Sequence, residues 1–239
     1  MSVYRTVNQI LSPNRPSVNF TPEAPVLIPT ATSPCSELRV VVENVVASAD
    51  LKQRLNLDVV LSVSSGARYN PERFPGLIYR LKRPKSTLLL FSSGKVVCTG
   101  AKSVRSASTA IINTINQLSD SGIVIITKPT PQIENIVAST NLQGAVDLEN
   151  AAQQLHRTIY DPEQFPGLIY RANDPRSVFL IFTNGKTIST GTKTTTDLHQ
   201  AVHNLQTVLQ NNHLITYNNR PQANKQGLPI IVEQVQHVR

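Results

Sequence analysis

The sequence predicts an α+β fold in which two copies of one β-α-β-β-β-α unit sit about a pseudo-twofold axis. Three observations predict it. The stretch Tyr69-Asn-Pro-Glu-Arg-Phe-Pro-Gly-Leu-Ile-Tyr-Arg80 recurs as Tyr160-Asp-Pro-Glu-Gln-Phe-Pro-Gly-Leu-Ile-Tyr-Arg171, an offset of 91 residues. That offset runs without a gap from Asn44 and Asn135, through Pro84 and Pro175, to Lys102 and Lys193. A period this long exceeds the roughly 20 to 50 residues of solenoid repeats, so each copy is half a domain. Within each copy, finally, short β-branched runs alternate with segments of helical periodicity.

Residues 1–37 carry six prolines among Ser, Thr and Asn and show no sustained period of 2 or 3.6, so this extension is expected to be disordered. The first copy, residues 38–127, opens with a Val-rich strand over 38–48. A short helix over 50–61, capped near Asp50, places Leu51, Leu55 and Leu57 on one side. Strands over 77–81, 87–91 and 95–99 form an antiparallel meander, with turns around Pro84 and at Ser92-Ser-Gly94. A closing helix over 104–118 sets Ala107, Ile111, Ile112, Ile115 and Leu118 at helical spacing, with Gly122 just beyond. One further strand around 123–127 is expected to bridge the copies. The second copy, residues 128–217, repeats the order: strand 132–139, helix 148–157, strands 168–172, 178–182 and 186–190, and helix 196–209. The Asn- and Gln-rich tail 218–239 offers only Leu228-Pro-Ile-Ile-Val232 for packing.

Composition narrows the function. A formal net charge of +8 and a pI near 9.7 over 239 residues invite a polyanionic partner. Cys35 and Cys98 are too few for a disulfide framework and sit at no metal-ligand spacing, which points to a reducing compartment, with Cys98 a small core residue. The N-terminus has no secretory pattern and no apolar run is long enough to span a membrane.

Side chains alternate across a strand, which sorts the meander into two faces. Leu89 and Phe91 oppose Leu88 and Leu90; Lys95, Val97 and Thr99 oppose Val96 and Cys98. Both faces are apolar, yet the helices of one such unit cover only one. The other is then either a large apolar patch edged with Lys and Arg that serves a ligand, the inside of a sheet sandwiched by helices on both sides, or a homodimer core.

The two Phe-Pro-Gly-Leu-Ile-Tyr-Arg stretches, Phe91-Ser-Ser-Gly-Lys-Val-Val-Cys-Thr-Gly-Ala-Lys102 and Glu134-Asn-Ile-Val-Ala-Ser139 resemble elements of the TATA-box-binding protein family, and the resemblance covers residues 38–215. It implies a saddle: a ten-stranded antiparallel sheet whose concave underside sits on the DNA minor groove, with four helices on the convex back. It implies that Phe74 with Phe91, and Phe165 with Phe182, wedge into the base steps at the two ends of the site. Asn44, Asn135, Thr99 and Thr190 match positions that meet base edges, and Val46, Leu89, Val97, Val137, Leu180 and Ile188 match the apolar floor. Arg80, Lys95, Ser93, Arg171, Lys186 and Asn184 match phosphate-contacting positions. Asp161 and Glu163 match acidic positions used by TFIIB-type factors.

Elementary chemistry agrees with these roles. Minor-groove binders insert apolar wedges because the kinked groove then covers more protein. The A·T minor groove offers only the acceptors adenine N3 and thymine O2, which an amide NH₂ or a hydroxyl satisfies, whereas guanine adds an amino group in the way. Phosphate contacts position the protein without reading sequence. His199 and His203 stand at i, i+4 without a convincing third ligand, so no metal site and no cofactor is expected. Gly94-Lys95 and Gly185-Lys186 lack the remainder of a P-loop and are hairpin turns. No nucleophile, base and orienting group recur together, so the chain is expected not to be an enzyme.

Departures from the family pattern matter as well. Pro75 and Pro166 both follow the first wedge Phe, which is closer to the archaeal type than to the eukaryotic one and weakens intrinsic polarity on the site. The closing helix of the first copy holds only Arg105 as a basic residue, which weakens the case for a TFIIA-like factor beside TBP-associated factors. A proline-rich N-terminal extension is more usual in eukaryotic members. The resemblance thus implies an initiation factor that binds and bends TATA promoter DNA and presents it to a TFIIB-like factor and, indirectly, RNA polymerase. It would work in the nucleus if eukaryotic, or in the cytoplasm at the nucleoid if archaeal. The alternative is a related scaffold that joins a transcription complex without TATA-specific binding.

Overall fold

The computed structural model describes residues 38–217, so the expectations for 1–37, including Cys35, and for 218–239 lie outside the described residues. Each copy contributes five strands of the main sheet and two helices in the order β-α-β-β-β-β-α, and the second adds two short strands. In the first these are β1 (Val40–Asp50), α1 (Leu57–Val63), β2 (Ala67–Asn70), β3 (Phe74–Lys82), β4 (Lys85–Phe91), β5 (Lys95–Ala101) and α2 (Val104–Asp120). The second has β6 (Gln132–Asn141), a two-residue β7 (Ala145–Val146), α3 (Leu148–Gln154), β8 (Thr158–Asp161), β9 (Phe165–Asn173), β10 (Arg176–Ile181), β11 (Lys186–Thr192), α4 (Thr195–Asn211) and a terminal β12 (Ile215–Thr216). Ten strands form one antiparallel sheet in the order β2-β3-β4-β5-β1-β6-β11-β10-β9-β8, and β12 pairs with β7 in a small second sheet. The copies join through β1 and β6, which pair antiparallel at the centre.

Three expectations are corrected. The helix assigned to 50–61 begins only at Leu57, because Asn56 accepts from the Asp58 and Val59 N–H groups and caps it there. Asp50 ends β1 instead, accepting from Lys52 N–H at 2.8 Å in a turn where Lys52 takes a φ of 55°. Leu51, Leu55 and Leu57 are all buried, but an irregular segment carries the first two inward, tied by Leu51 and Leu55 N–H groups to the carbonyls of Gly94 and Ser92. The bridging strand at 123–127 does not form. The missing strands are β2 and β8, four-residue edges whose polar composition hides them from a periodicity reading, and whose shortness limits unwanted edge pairing.

All four helices pack on one face of the sheet. Ser103 caps α2 by accepting from Ser106 N–H, and Thr194 caps α4 by accepting from Asp197 N–H. The first core collects Val45, Ala47, Leu88, Leu90, Val96 and Cys98 from the sheet under Ala107, Ile111, Ile115 and Leu118 of α2. The second repeats this with Ile136, Ala138, Leu168, Phe179 and Ile181 under Leu198, Ala201, Leu205 and Leu209. Burial pushes the Cys98 thiol above its ordinary pKa, in keeping with a core role. Among the described residues no helix is long and apolar enough to cross a membrane, and no group of three His, Cys, Asp or Glu is placed to hold a metal.

Candidate nucleic-acid interface

The sheet's second face carries no helix. Along β4 the core takes Leu88 and Leu90 while Leu89 and Phe91 stay half-exposed, and along β5 it takes Val96 and Cys98 while Val97 and Thr99 stay half-exposed. In the second copy Leu180 and Val137 are half-exposed and Ile188 is exposed. Val46 stands with them on β1, so all six floor positions lie on one uncovered surface. A sheet covered on both sides is thereby excluded for the described residues.

A phenylalanine pair stands towards each end of this face. Phe74 and Phe91 pack edge-on with centroids 5.9 Å apart, and Phe165 and Phe182 do the same at 5.8 Å. Such T-shaped pairs gain about 0.5–1.5 kcal/mol beyond their burial, which fixes the rings against each other while leaving their outer edges free. Phe165 is 39 % exposed, a large fraction for an aromatic ring in a folded domain. The repeated spacing Phe-Pro-Gly acquires a reason. A Cβ on Gly76 would lie 2.7 Å from Phe74 Cε1 and 3.0 Å from Phe91 Cε1, and one on Gly167 would meet Phe165 and Phe182 at 2.7 and 3.1 Å. Only glycine leaves room for both rings.

Between the pairs lie two copies of a donor set. Gly100 N–H donates to Asn44 Oδ1 at 2.7 Å, and Gly191 N–H donates to Asn135 Oδ1 at 2.8 Å. Those bonds fix which end of each amide is oxygen and turn Nδ2 toward the threonines, 3.3 Å from Thr99 Oγ1 and 3.0 Å from Thr190 Oγ1. Thr99 Oγ1 and Thr190 Oγ1 in turn donate to the same amide oxygens at 3.4 and 3.2 Å, and each amide keeps one N–H for an acceptor from outside. Both glycines sit at positive φ, +85° and +100°, where β5 and β11 shift register against the central strands.

Two acidic residues missed by the sequence reading lie beside these sets. Glu43 and Glu134 sit where β1 and β6 shift register against each other, and they link the two copies reciprocally. Ser139 Oγ donates to Glu43 at 2.8 Å and Ser48 Oγ donates to Glu134 at 2.7 Å, while Lys102 and Lys193 pair with the same carboxylates at 2.7 and 3.0 Å. The hydrogen bond from Lys102, then that from Ser139, holds the Glu43 carboxyl below its ordinary pKa; for Glu134 the bond from Ser48 leads and Lys193 follows. The signal available in the sequence was the Glu-Asn pair repeated at the offset of 91 residues.

The cationic positions ring this face. Arg80 and Arg171 are exposed on β3 and β9, and Lys95 and Lys186 are exposed where β5 and β11 begin. Ser93 and Asn184 lie in the preceding turns, where Asn184 Oδ1 accepts from Lys186 N–H. Lys95 lies opposite Asp50 in register, and Asp50 pairs with Lys52 at 3.0 Å. Asp161 ends β8 opposite Phe165, and Glu163 lies in the turn that follows, its N–H donating to Asp161 Oδ1; both are exposed. Charge is distributed unevenly: residues 38–127 hold twelve Lys and Arg against five Asp and Glu, and residues 128–217 hold six against seven.

The family described as "Transcription factor TFIID (or TATA-binding protein, TBP)" matches residues 39–121 and again 130–212. The chain belongs to this TATA-binding protein family. It is 48 % identical over 164 residues to the TATA-box-binding protein of Pyrodictium occultum, covering 69 % of this chain and 82 % of that one. The TATA-box-binding protein of Aeropyrum pernix is 46 % identical over 161 residues, 67 % of this chain and 79 % of its own. A solved structure of Methanococcus jannaschii TBP superposes with a TM-score of 0.67 at 42 % identity, covering 72 % of this chain and 98 % of the other. The saddle of the TBP family, with ten strands in one sheet and the helices behind it, is therefore the fold of this chain, and the two matched segments coincide with its two structural copies.

Proposed function

We propose that this chain is a non-enzymatic transcription initiation factor that binds and bends A·T-rich promoter DNA on its uncovered sheet face. The observation that carries this reading is the placement of two edge-packed phenylalanine pairs on one open apolar surface, with paired donor sets between them. Phe74, Phe91, Phe165 and Phe182 enter the minor groove at two steps and unstack them. The unstacking costs a few kcal/mol per step and is offset by the floor that the opened groove covers. Asn44, Asn135, Thr99 and Thr190 donate to adenine N3 and thymine O2 at the centre. A surface that offers only donors there accepts A·T in either orientation and meets the guanine amino group with no acceptor.

Arg80, Lys95, Ser93, Arg171, Lys186 and Asn184 hold the phosphates, and the cationic excess of the first copy makes its end the stronger electrostatic anchor. Sequence preference comes largely from how cheaply A·T-rich steps deform. Asp161 and Glu163 present an acidic edge to a TFIIB-like factor, through which RNA polymerase is recruited. This reading favours a cell of archaeal type, with the nucleoid as working site, in keeping with the likeness to the TATA-box-binding proteins of Pyrodictium occultum and Aeropyrum pernix. A fluorescence titration of a TATA duplex against a G·C-rich duplex, with Phe165→Ala and Phe182→Ala alongside, tests the reading. Preference for TATA that each variant weakens supports it; equal binding to both duplexes moves the assignment to a scaffold that joins its complex without reading DNA.

A further inference from the structure

Each copy serves as a control for the other, and the β3–β4 hairpin breaks the symmetry. β3 and β4 pair in strict register from Gly76 opposite Phe91 to Lys82 opposite Lys85. On β3 the core takes Leu77, Tyr79 and part of Leu81, so Ile78, Arg80 and Lys82 share the uncovered face. On β4 it takes Ser86, Leu88 and Leu90, which leaves Lys85 on that face with Thr87, Leu89 and Phe91. The ladder thus runs from the phenylalanines through the apolar floor to Arg80, and ends on two lysines side by side. The Lys85 rung lies about 20 Å from the Phe91 rung at the rise of a strand.

Lys82 and Lys85 are exposed, as is Arg83 in the turn between them. Among the described residues no carboxylate pairs with any of the three, the ion pairs there engaging Lys52, Lys102 and Lys193. Like charges directly across a strand pair destabilise it, and an anion bound between them offsets that cost. The second copy has no such cluster. The counterparts of Lys82, Arg83 and Lys85 are Asn173, Asp174 and Arg176, which carry no net charge. Arg176 stands opposite Asn173 rather than a second cation. Asn173 Oδ1 accepts from Arg157, and the Asp174 carbonyl accepts from Asn204 Nδ2 at 2.9 Å, so that turn is tied to its own chain. In the first copy Gly66 stands at the position of Arg157.

We propose that Lys82, Arg83 and Lys85 form a clamp on the phosphates of one strand of the bound duplex, beyond the phosphate that Arg80 meets, and that the first copy alone carries it. This rests on the uncovered face being a DNA interface, and adds to it three contacts and an asymmetry between its halves. Lys82 stands about 7 Å beyond Arg80 along β3. A DNA strand carries one charge about every 3.4 Å of its axis, so a strand held at Arg80 passes further phosphates within reach of the lysine stems. Each lysine meets them as a mobile point charge, and the planar fork of Arg83 takes two phosphate oxygens at once. Such contacts raise affinity and leave sequence preference alone.

Titration of a TATA duplex across a salt series with the full chain, beside thermal melting of the free protein, tests it. One variant combines Lys82→Ala, Arg83→Ala and Lys85→Ala; the other is Lys85→Glu, which sets an acid opposite Lys82. The slope of log K against log salt is expected to fall by about 2–3 in the triple variant and about 1–2 in Lys85→Glu, with the preference for TATA over a G·C-rich duplex unchanged. The melting temperature of Lys85→Glu is expected to rise by about 1–3 °C, because an opposed like pair becomes an opposite one. A firmer fold that binds DNA more weakly is the signature of cations held for a ligand. Tight binding by the natural chain with an unchanged slope in both variants overturns the clamp, leaves the DNA interface standing and assigns the hairpin to an acidic protein partner. A lower melting temperature in Lys85→Glu also overturns it, since Lys85 would then serve the fold. A natural chain that does not bind the duplex overturns the DNA interface and the clamp together.

Discussion

Gly100 N–H donates to Asn44 Oδ1 at 2.7 Å, and that one bond decides what the centre of the face offers a ligand. With the oxygen occupied by the Gly100 N–H and the Thr99 hydroxyl, the amide can only donate outward. Asn44→Asp preserves the acceptor for Gly100 and replaces the outward donor with a charged acceptor. Binding to TATA duplex is expected to fall by about ten- to a hundredfold, the cost of roughly 1–3 kcal/mol for unmatched buried polar groups. Calorimetry should show the free fold intact, which separates this loss from unfolding.

Gly100 itself is a stability position. Its Cβ would find space, the nearest atom being Ser86 Cα at 3.8 Å, so the penalty of Gly100→Ala lies in its φ of +85°. A loss of about 1–2 kcal/mol in chemical denaturation is expected. Gly76→Ala differs in kind, because its Cβ drives into Phe74 and Phe91 and displaces the rings. DNA affinity is expected to drop more than stability does.

Glu43 and Glu134 place negative charge beside an otherwise cationic site and engage Lys102 and Lys193. Glu43→Gln with Glu134→Gln is expected to tighten DNA binding at low salt and to steepen the dependence of log K on log salt by about 1–2, as each freed lysine reaches a phosphate. Arg171→Ala and Lys186→Ala are expected to do the reverse, each lowering the slope by about 1 without changing sequence preference.

The same carboxylates set a sign for pH. Their folded pKa values lie below the ordinary glutamate value, so whatever stability the clusters contribute is present above that value and is lost as pH falls through the depressed one. Both groups are exposed, so the effect is small and salt-sensitive. Melting curves between neutral pH and about pH 4 are expected to decline less for the double Gln variant than for the natural chain.

Much of this was legible in the residues. The repeat fixed the number of copies, and strict alternation in β4 and β5 separated Leu88, Leu90, Val96 and Cys98 from Leu89, Phe91, Val97 and Thr99 before any coordinates. What escaped depends on contacts far apart in sequence. Asp50 looks like a helix cap until Lys52 closes a turn on it, and β2 and β8 have too few apolar residues to announce themselves beside their partners. Glu43 reads as a solvated charge until the register shift between β1 and β6 brings Ser139 to it. Gly76 reads as part of a turn until two rings close over it.

The wedge claim is tested most directly by a duplex carrying 2-aminopurine at each end step of an A·T-rich site. Binding is expected to raise fluorescence at both ends through unstacking, with Phe74→Ala plus Phe91→Ala silencing one end and Phe165→Ala plus Phe182→Ala the other. A tight complex in which neither end step brightens, or in which the paired variants leave both signals unchanged, contradicts the account.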